Sequence, residues 1–449
     1  MLGKISPGAR LKIFTPAVIL LAAAVSYLPA QNQSASSVSY TVSRLENGLT
    51  VILSEDYSFP VVTVAVTYLV GSAYDPPGQA GMAYFMENLM FQGSQNVGRL
   101  QHIRMINQAG GRLNALTTRT RTLFYQTVSS NQLPLVIWLE SDRMKSLSFS
   151  PLSIEESKKA FISEIRERQN TRLFHESSTL FERLLYKDYS YYHPIAGEES
   201  GIRNIDPESL ENFHQTYYRP NNAVLCVSGH FDRKQTMPLI RKYFESIPPE
   251  KDIPSHEPVQ PPEPGITTRV VNNNRVSTPG FHLGFPLTGT FSKDFYTLVL
   301  IDYILLKGNS SRLRKRLVQR DKTALNLEGG IEIRDEFSAY KIFLLSNNEA
   351  TKEMSKKALF GEINGLKSNL VPEDELLRAK NLFKRHYYRR LESPQRKALF
   401  LTDFYINHSG LEGFPEDINN YMNVTAAEII GIMNRYFSEN YILVDIKTK

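Results

Sequence analysis

The chain has 449 residues, 41% of them hydrophobic, and 52 Lys and Arg against 46 Asp and Glu, for a formal net charge of +6. That length and apolar content support two or three sizeable cores and exclude a disordered or low-complexity chain. Lys4, Arg10 and Lys12 lie in an N-terminal segment expected to be removed, which takes the charge to about +3, too little to argue for nucleic acid.

That segment has basic residues, an apolar run from Ile13 to Leu28, and then "PAQNQSASS". The pattern predicts a secretory signal peptide over 1–30, cleaved near Ala30, with an uncleaved N-terminal anchor as the alternative. Either way the rest is expected to be exported, to the periplasm or outside the cell in a bacterium. No later stretch approaches the roughly 18 uninterrupted apolar residues of a membrane span.

From Ser39 to Gly71 the spacing predicts strand, turn and strand, with Asn47-Gly48 as a hairpin turn. "GMAYFMENLMFQGS" follows at 81–94, a helix whose apolar stripe is Met82, Phe85, Met86, Leu89 and Met90. Tyr84, Glu87 and Asn88 share another of its faces, at i, i+3 and i+4. A second helix ends at Gly110 and Gly111, and "RLNALTTRTRTLFYQTV" then reads as strand. After a helix through "LPLVIWLESDRMKSL", Ser153 and Glu156 have capping-box spacing and predict the start of a long helix carrying Glu164. The single cysteine, Cys226 in "NAVLCVSGHF", excludes an intrachain disulfide and reads as a small core residue.

Residues 248–264 contain seven prolines and predict an extended linker. Strands and helices then recur in the same order as before, so that 39–247 and 265–449 look like two copies of one α+β domain. Each is read as a mainly antiparallel sheet with helices on one side.

Several motifs together resemble a known family. "GSAYDPPGQAGMAYFMENLMFQGS", "GGRLNALTTRTRTLFY", "ESDRM" and "YYRPNNAVLCVSGHFD", with "GNSSRLRKRLVQRDKTALNL" further on, are similar to the insulinase or pitrilysin-type metallopeptidases. In active members an H-x-x-E-H helix supplies two zinc-binding imidazoles and a glutamate that handles the water. The resemblance puts Tyr84 and Asn88 at the histidine positions, keeps Glu87, and puts the distant glutamate ligand at Glu164, 76 residues after Asn88. A supporting glutamate of the family becomes Ser157.

Ligand chemistry then argues against a zinc site. Catalytic zinc takes three strong ligands from imidazole, thiolate or carboxylate. An amide oxygen is a weak donor, and a phenol would have to lose a proton with a pKa of about 10. No cofactor is expected, and Glu87 reads as a vestige of the base. His102, His175, His193, His214 and His230 show no metal-like spacing, and a structural role is expected for His193.

The resemblance also implies a peptide-binding edge strand at Asn114, Ala115 and Thr117, where an extended peptide would add as a further strand. An aspartate common there in the family is Thr120. In the second half, the arginine and tyrosine that hold a substrate carbonyl in active relatives become Val318 and Leu325, with Arg316 and Arg320 nearby as partial replacements. The basic run Leu376–Phe400 could be a contact face. The reading is an exported, non-catalytic half that pairs with an H-x-x-E-H-bearing homologue and binds peptides. An active metalloendopeptidase with an unusual metal site, or a purely structural scaffold, are the alternatives.

Overall fold

Two runs of strands, on either side of the proline-rich stretch, build two sheets of the same internal order. The computed structural model describes residues 38–448 apart from 149, 257–260, 289–291 and 335–336. The signal segment expected over 1–30 lies outside the described residues. The first sheet comprises β1 (Thr41–Arg44), β2 (Thr50–Glu55), β3 (Val61–Tyr68), β4 (Arg112–Thr117), β5 (Thr122–Ser129) and β6 (Ala223–Gly229), in the order β1-β2-β6-β3-β5-β4. The second comprises β7 (Ile266–Asn272), β8 (Gly280–Thr288), β9 (Ala324–Glu332), β10 (Phe337–Ser346) and β11 (Tyr441–Lys447), in the order β7-β11-β8-β10-β9. Without β1, the two orders coincide position by position. The parallel pair β2/β6 matches the parallel pair β7/β11, and every other pairing in both sheets is antiparallel. The chain is a mixed α+β protein of two homologous domains.

The first hairpin follows the sequence closely. Gly48 takes φ +87 at the Asn47-Gly48 turn, and Arg44 pairs with Thr50. The run "RLNALTTRTRTLFYQTV", read as one strand, is instead the β4–β5 hairpin. Its turn lacks glycine and proline, and Thr118 makes it with its own groups: the backbone N–H donates to Arg121 O at 2.8 Å, and the hydroxyl accepts from Arg121 N–H at 3.1 Å. A second correction concerns the long helix, which begins at Pro151 rather than Ser153. Proline suits the first helical position, where no N–H is needed, so Ser153 falls inside the first turn.

The helices α1 (Met82–Leu89), α2 (Gln101–Gln108), α3 (Leu133–Lys145) and α4 (Pro151–Thr171) belong to the first half. Phe85, Met86, Val136, Ile137 and Ile162 pack with Val64, Val66 and Val227 of the sheet in one large apolar core. The helix α5 (His175–Leu185) crosses to the other sheet. Phe181 stacks on His282, and its ring lies where a side chain at Gly284 would collide with it, at 2.7 Å. Phe181, Leu185 and Tyr186 thus share a core with Val271, Ala339, Ile442 and Val444 of the second sheet.

The exchange is mutual. The helix Pro394–His408 of the second half lies on β3 and β6 of the first sheet. Lys397 ion-pairs with Asp56, Arg121 pairs with Asp403 at 2.9 Å, and Tyr405 Oη meets Thr50 Oγ1 at 3.4 Å. Among the described residues, no helix is long and apolar enough to cross a membrane.

Candidate functional site

The helix α1 is fixed at its start by a buried carboxylate. Asp75 accepts the N–H of Gly81 at 2.6 Å and of Ala83 at 2.8 Å, using donors that a helix N-terminus leaves free. Gly81 enters the helix at φ +100, and a Cβ there would press into Ile202 and the Gly197 backbone. Burial raises the Asp75 carboxyl to about 7, against the pull of those N–H groups and of Arg119. The buried stripe leaves Tyr84 and Glu87 half-exposed and Asn88 exposed, all turned away from the core.

Glu87 is held by the end of β4. Thr117 Oγ1 donates to Glu87 Oε2 at 2.5 Å. Burial raises the Glu87 carboxyl, and the Thr117 hydroxyl and backbone N–H partly offset this by donating to the ionised form. Tyr84 and Glu164 are brought together by a cation of the chain itself. Arg168 Nη2 donates to Tyr84 Oη at 3.1 Å, and the same guanidinium ion-pairs with Glu164, one helical turn earlier on α4. Asn88 stands apart from this pair; its amide oxygen accepts a long contact of 3.5 Å from Gln92.

This donor set does not fit zinc. A phenol engaged by a guanidinium, a neutral amide and a carboxylate already neutralised leave no three strong ligands, and the Arg168 charge would repel a dication. No group of three His, Cys, Asp or Glu among the described residues is placed to hold a metal ion. The histidines are dispersed. His193 is buried with Nε2 2.9 Å from Ser72 O and Nδ1 2.9 Å from Pro194 O, and His214 Nε2 lies 3.1 Å from Arg143 O.

The strand carrying Asn114, Ala115 and Thr117 is the outer strand of its sheet. Asn114 is exposed and donates to Tyr125 Oη at 3.3 Å, whereas Thr117 is buried. Thr118 pairs with Arg121 across the turn, so alternation along an antiparallel ladder turns the N–H and C=O groups of Leu113, Ala115 and Thr117 to the free edge. Glu87 accepts from the N–H of the last of these. The groups of Leu113 and Ala115 remain for an added strand.

Beyond the end of β4 opens a cleft of about 550 Å³. Its wall runs from Tyr84, Leu116 and Arg119 through Arg168 and Arg172 to Glu332 and Arg334 of the second half. Arg334 is buried and pairs with Glu182 and Glu332, and Lys341 pairs with the same two acids. Burial raises the Glu182 carboxyl, but Lys341 and Arg334 together outweigh it and hold it low. Apart from Tyr84, these wall residues were missed in the sequence. One signal was readable: Glu164, Arg168 and Arg172 recur every four residues, which puts them in one row along the end of α4.

The second-half positions aligned with the family's carbonyl-holding pair, read as lost to Val318 and Leu325, lie elsewhere. Val318 and Leu325 are exposed side chains outside the cleft wall. Arg316 and Arg320 are both tied to Asp321, at 2.6 and 2.9 Å, and border a separate depression with Arg312 and Glu362. Neither lines the cleft.

A family model described as Insulinase (Peptidase family M16) matches residues 50–193, and one described as Peptidase M16 inactive domain matches residues 204–383. The chain belongs to the insulinase-like M16 family. The first match contains both α1 and Glu164. The "inactive domain" description falls on the stretch carrying Glu332 and Arg334. The zinc protease PqqE of Helicobacter pylori is 25% identical over 399 residues, 88% of this chain and 89% of that one. The fold is that of a protease from Helicobacter pylori, with TM-score 0.85 and 24% identity over 91% of this chain and 99% of the other. The periplasmic protease PqqL from Escherichia coli matches with TM-score 0.76 and 16% identity; the match spans 91% of this chain but 47% of PqqL.

Proposed function

We propose that this M16 chain is an exported, non-catalytic subunit that pairs with a homologue carrying an intact H-x-x-E-H helix and helps to enclose and bind peptides. The observation that carries the reading is the Arg168 guanidinium joining Tyr84 to Glu164. A guanidinium between Tyr84 and Glu164 supports reading Tyr84 and Asn88 as replacements of the zinc ligands, because its charge opposes a metal ion there. The edge of β4 supports the peptide-binding part, because the Leu113 and Ala115 backbone groups face outward beside a cleft. That PqqL is about twice as long as the stretch it shares with this chain supports a second half as partner.

An active metalloendopeptidase is the competing reading, favoured by Glu87 and by the name zinc protease among the relatives. Elemental analysis and peptide cleavage separate the two. The mature chain alone is expected to purify without stoichiometric zinc and to leave unstructured peptides intact. Mixed with an H-x-x-E-H homologue exported by the same cell, it is expected to co-elute and to raise that partner's cleavage rate. One tightly held zinc per chain, with chelator-sensitive cleavage by the chain alone, would overturn the proposal.

A further inference from the structure

The charges around the cleft do not balance. Arg168 is matched by Glu164, and Arg334 and Lys341 are matched by Glu182 and Glu332. Two guanidiniums on the wall are left over. Among the described residues, neither Arg119 nor Arg172 makes an ion pair. Arg119 is held in place by a hydrogen bond from Nη1 to Ser72 Oγ at 3.2 Å, and Arg172 is exposed at the end of α4.

Arg119 lies in the less favourable setting of the two. Burial and the neighbouring Arg334 lower its guanidinium to about 10, although Glu182 and Asp75 lie near enough to help it. Half-buried near another arginine and with no ion pair, Arg119 is positioned to accept an incoming carboxylate as a partner. The wall also holds apolar surface for the rest of a ligand, since Leu116 is 53% exposed at the end of β4.

We propose that the cleft recognises a carboxylate of the peptide bound along β4, through Arg119 and Arg172. This rests on the proposed peptide-binding role of the β4 edge and specifies the class of peptide: one bearing an anionic group just beyond the segment paired with Leu113 and Ala115. A peptide α-carboxylate and an acidic side chain offer the same chemistry to a guanidinium. A cationic group at that point would meet Arg119, Arg168, Arg172 and Arg334 and be disfavoured.

The test uses the full mature chain and one short fluorescent peptide in four forms: free acid, C-terminal amide, internal Glu with an amidated end, and internal Gln with an amidated end. Anisotropy titrations at physiological salt are expected to show roughly tenfold tighter binding for at least one carboxylate form than for its neutral counterpart. Arg172→Gln should remove most of that preference, Arg172→Lys should keep part of it, and Arg172→Glu should reverse it. All three should change the binding of the neutral peptides less than that of the carboxylate forms. Loss on amidation alone identifies a reader of chain ends, and loss on Glu to Gln alone a reader of side chains; either supports the proposal. Equal binding of all four forms overturns it while leaving the peptide edge standing. If no form binds, the peptide-binding reading falls as well.

Discussion

Arg168 decides how Tyr84, Asn88 and Glu164 can be used. Restoring imidazoles by Tyr84→His and Asn88→His puts two ligands at i and i+4, but it leaves a guanidinium on Glu164, the proposed third ligand. Calorimetry on the double variant should therefore show weak zinc binding at most. Adding Arg168→Ala frees the carboxylate and removes the repelling charge, and affinity should rise by about tenfold or more, the scale of changes around metal ligands. If the double and triple variants bind zinc equally, Arg168 does not hold the site closed. His214 supports a separate expectation. Burial depresses its imidazole from 6.5 to about 4, so its stabilising contribution is complete above about 6.5 and is lost as pH falls toward 4. Between pH 7 and pH 5 the loss is on the order of 1–2 kcal/mol. Denaturant titrations of the protein and of His214→Gln should differ in pH dependence by that amount, with the variant the less sensitive.

Among the elements, β4 carries the proposed binding edge. Its register assigns different jobs to adjacent backbone groups: Ala115 N–H faces the free edge, whereas Leu116 N–H belongs to the ladder with Leu123 of β5. Ala115→Pro should weaken peptide binding with a small effect on stability, while Leu116→Pro should destabilise the sheet itself, by about 3 kcal/mol. Anisotropy and thermal unfolding on the same samples distinguish the two, and equal unfolding temperatures for both variants would show the register assignment to be wrong. Much of this element was readable in the sequence, from its Thr-rich and aromatic alternation. Its division into two strands was not, because Thr118 and Arg121 close the turn through backbone and hydroxyl groups without a glycine to mark it. The helix α1 was readable throughout, since Met82, Phe85, Met86 and Leu89 announce its buried face. The cleft was hidden because Arg119, Arg172 and Arg334 come from three separate places in the chain and meet only through the tertiary fold.

At the scale of the whole molecule, the repeat expected from the recurring order of elements is present in the matching strand orders of the two sheets. Local patterning does not reveal that the halves exchange helices, because a helix's apolar stripe does not say which sheet it will cover. Phe181 makes the point testable. It is 3% exposed, sits on a first-half helix and packs against second-half residues. Phe181→Ala should cost about 3–5 kcal/mol. Hydrogen exchange should show the loss in β8 and β11 at least as strongly as in the first sheet. Protection lost only in the first half would contradict a shared core.

The exchanged helices also set an order of events for a newly made chain. β6, the sixth strand of the first sheet, is complete at Gly229, but the helix that covers its outer face does not exist until His408 has been made. Through that interval of almost 180 residues, the face that receives Pro394–His408 has no cover of its own. A chain crossing a membrane from its N-terminus would meet the far side with an unfinished surface, a hazard for association with other unfinished chains. The first half made alone should therefore need a holding chaperone to stay in solution, and supplying Pro394–His408 as a separate peptide should relieve that dependence.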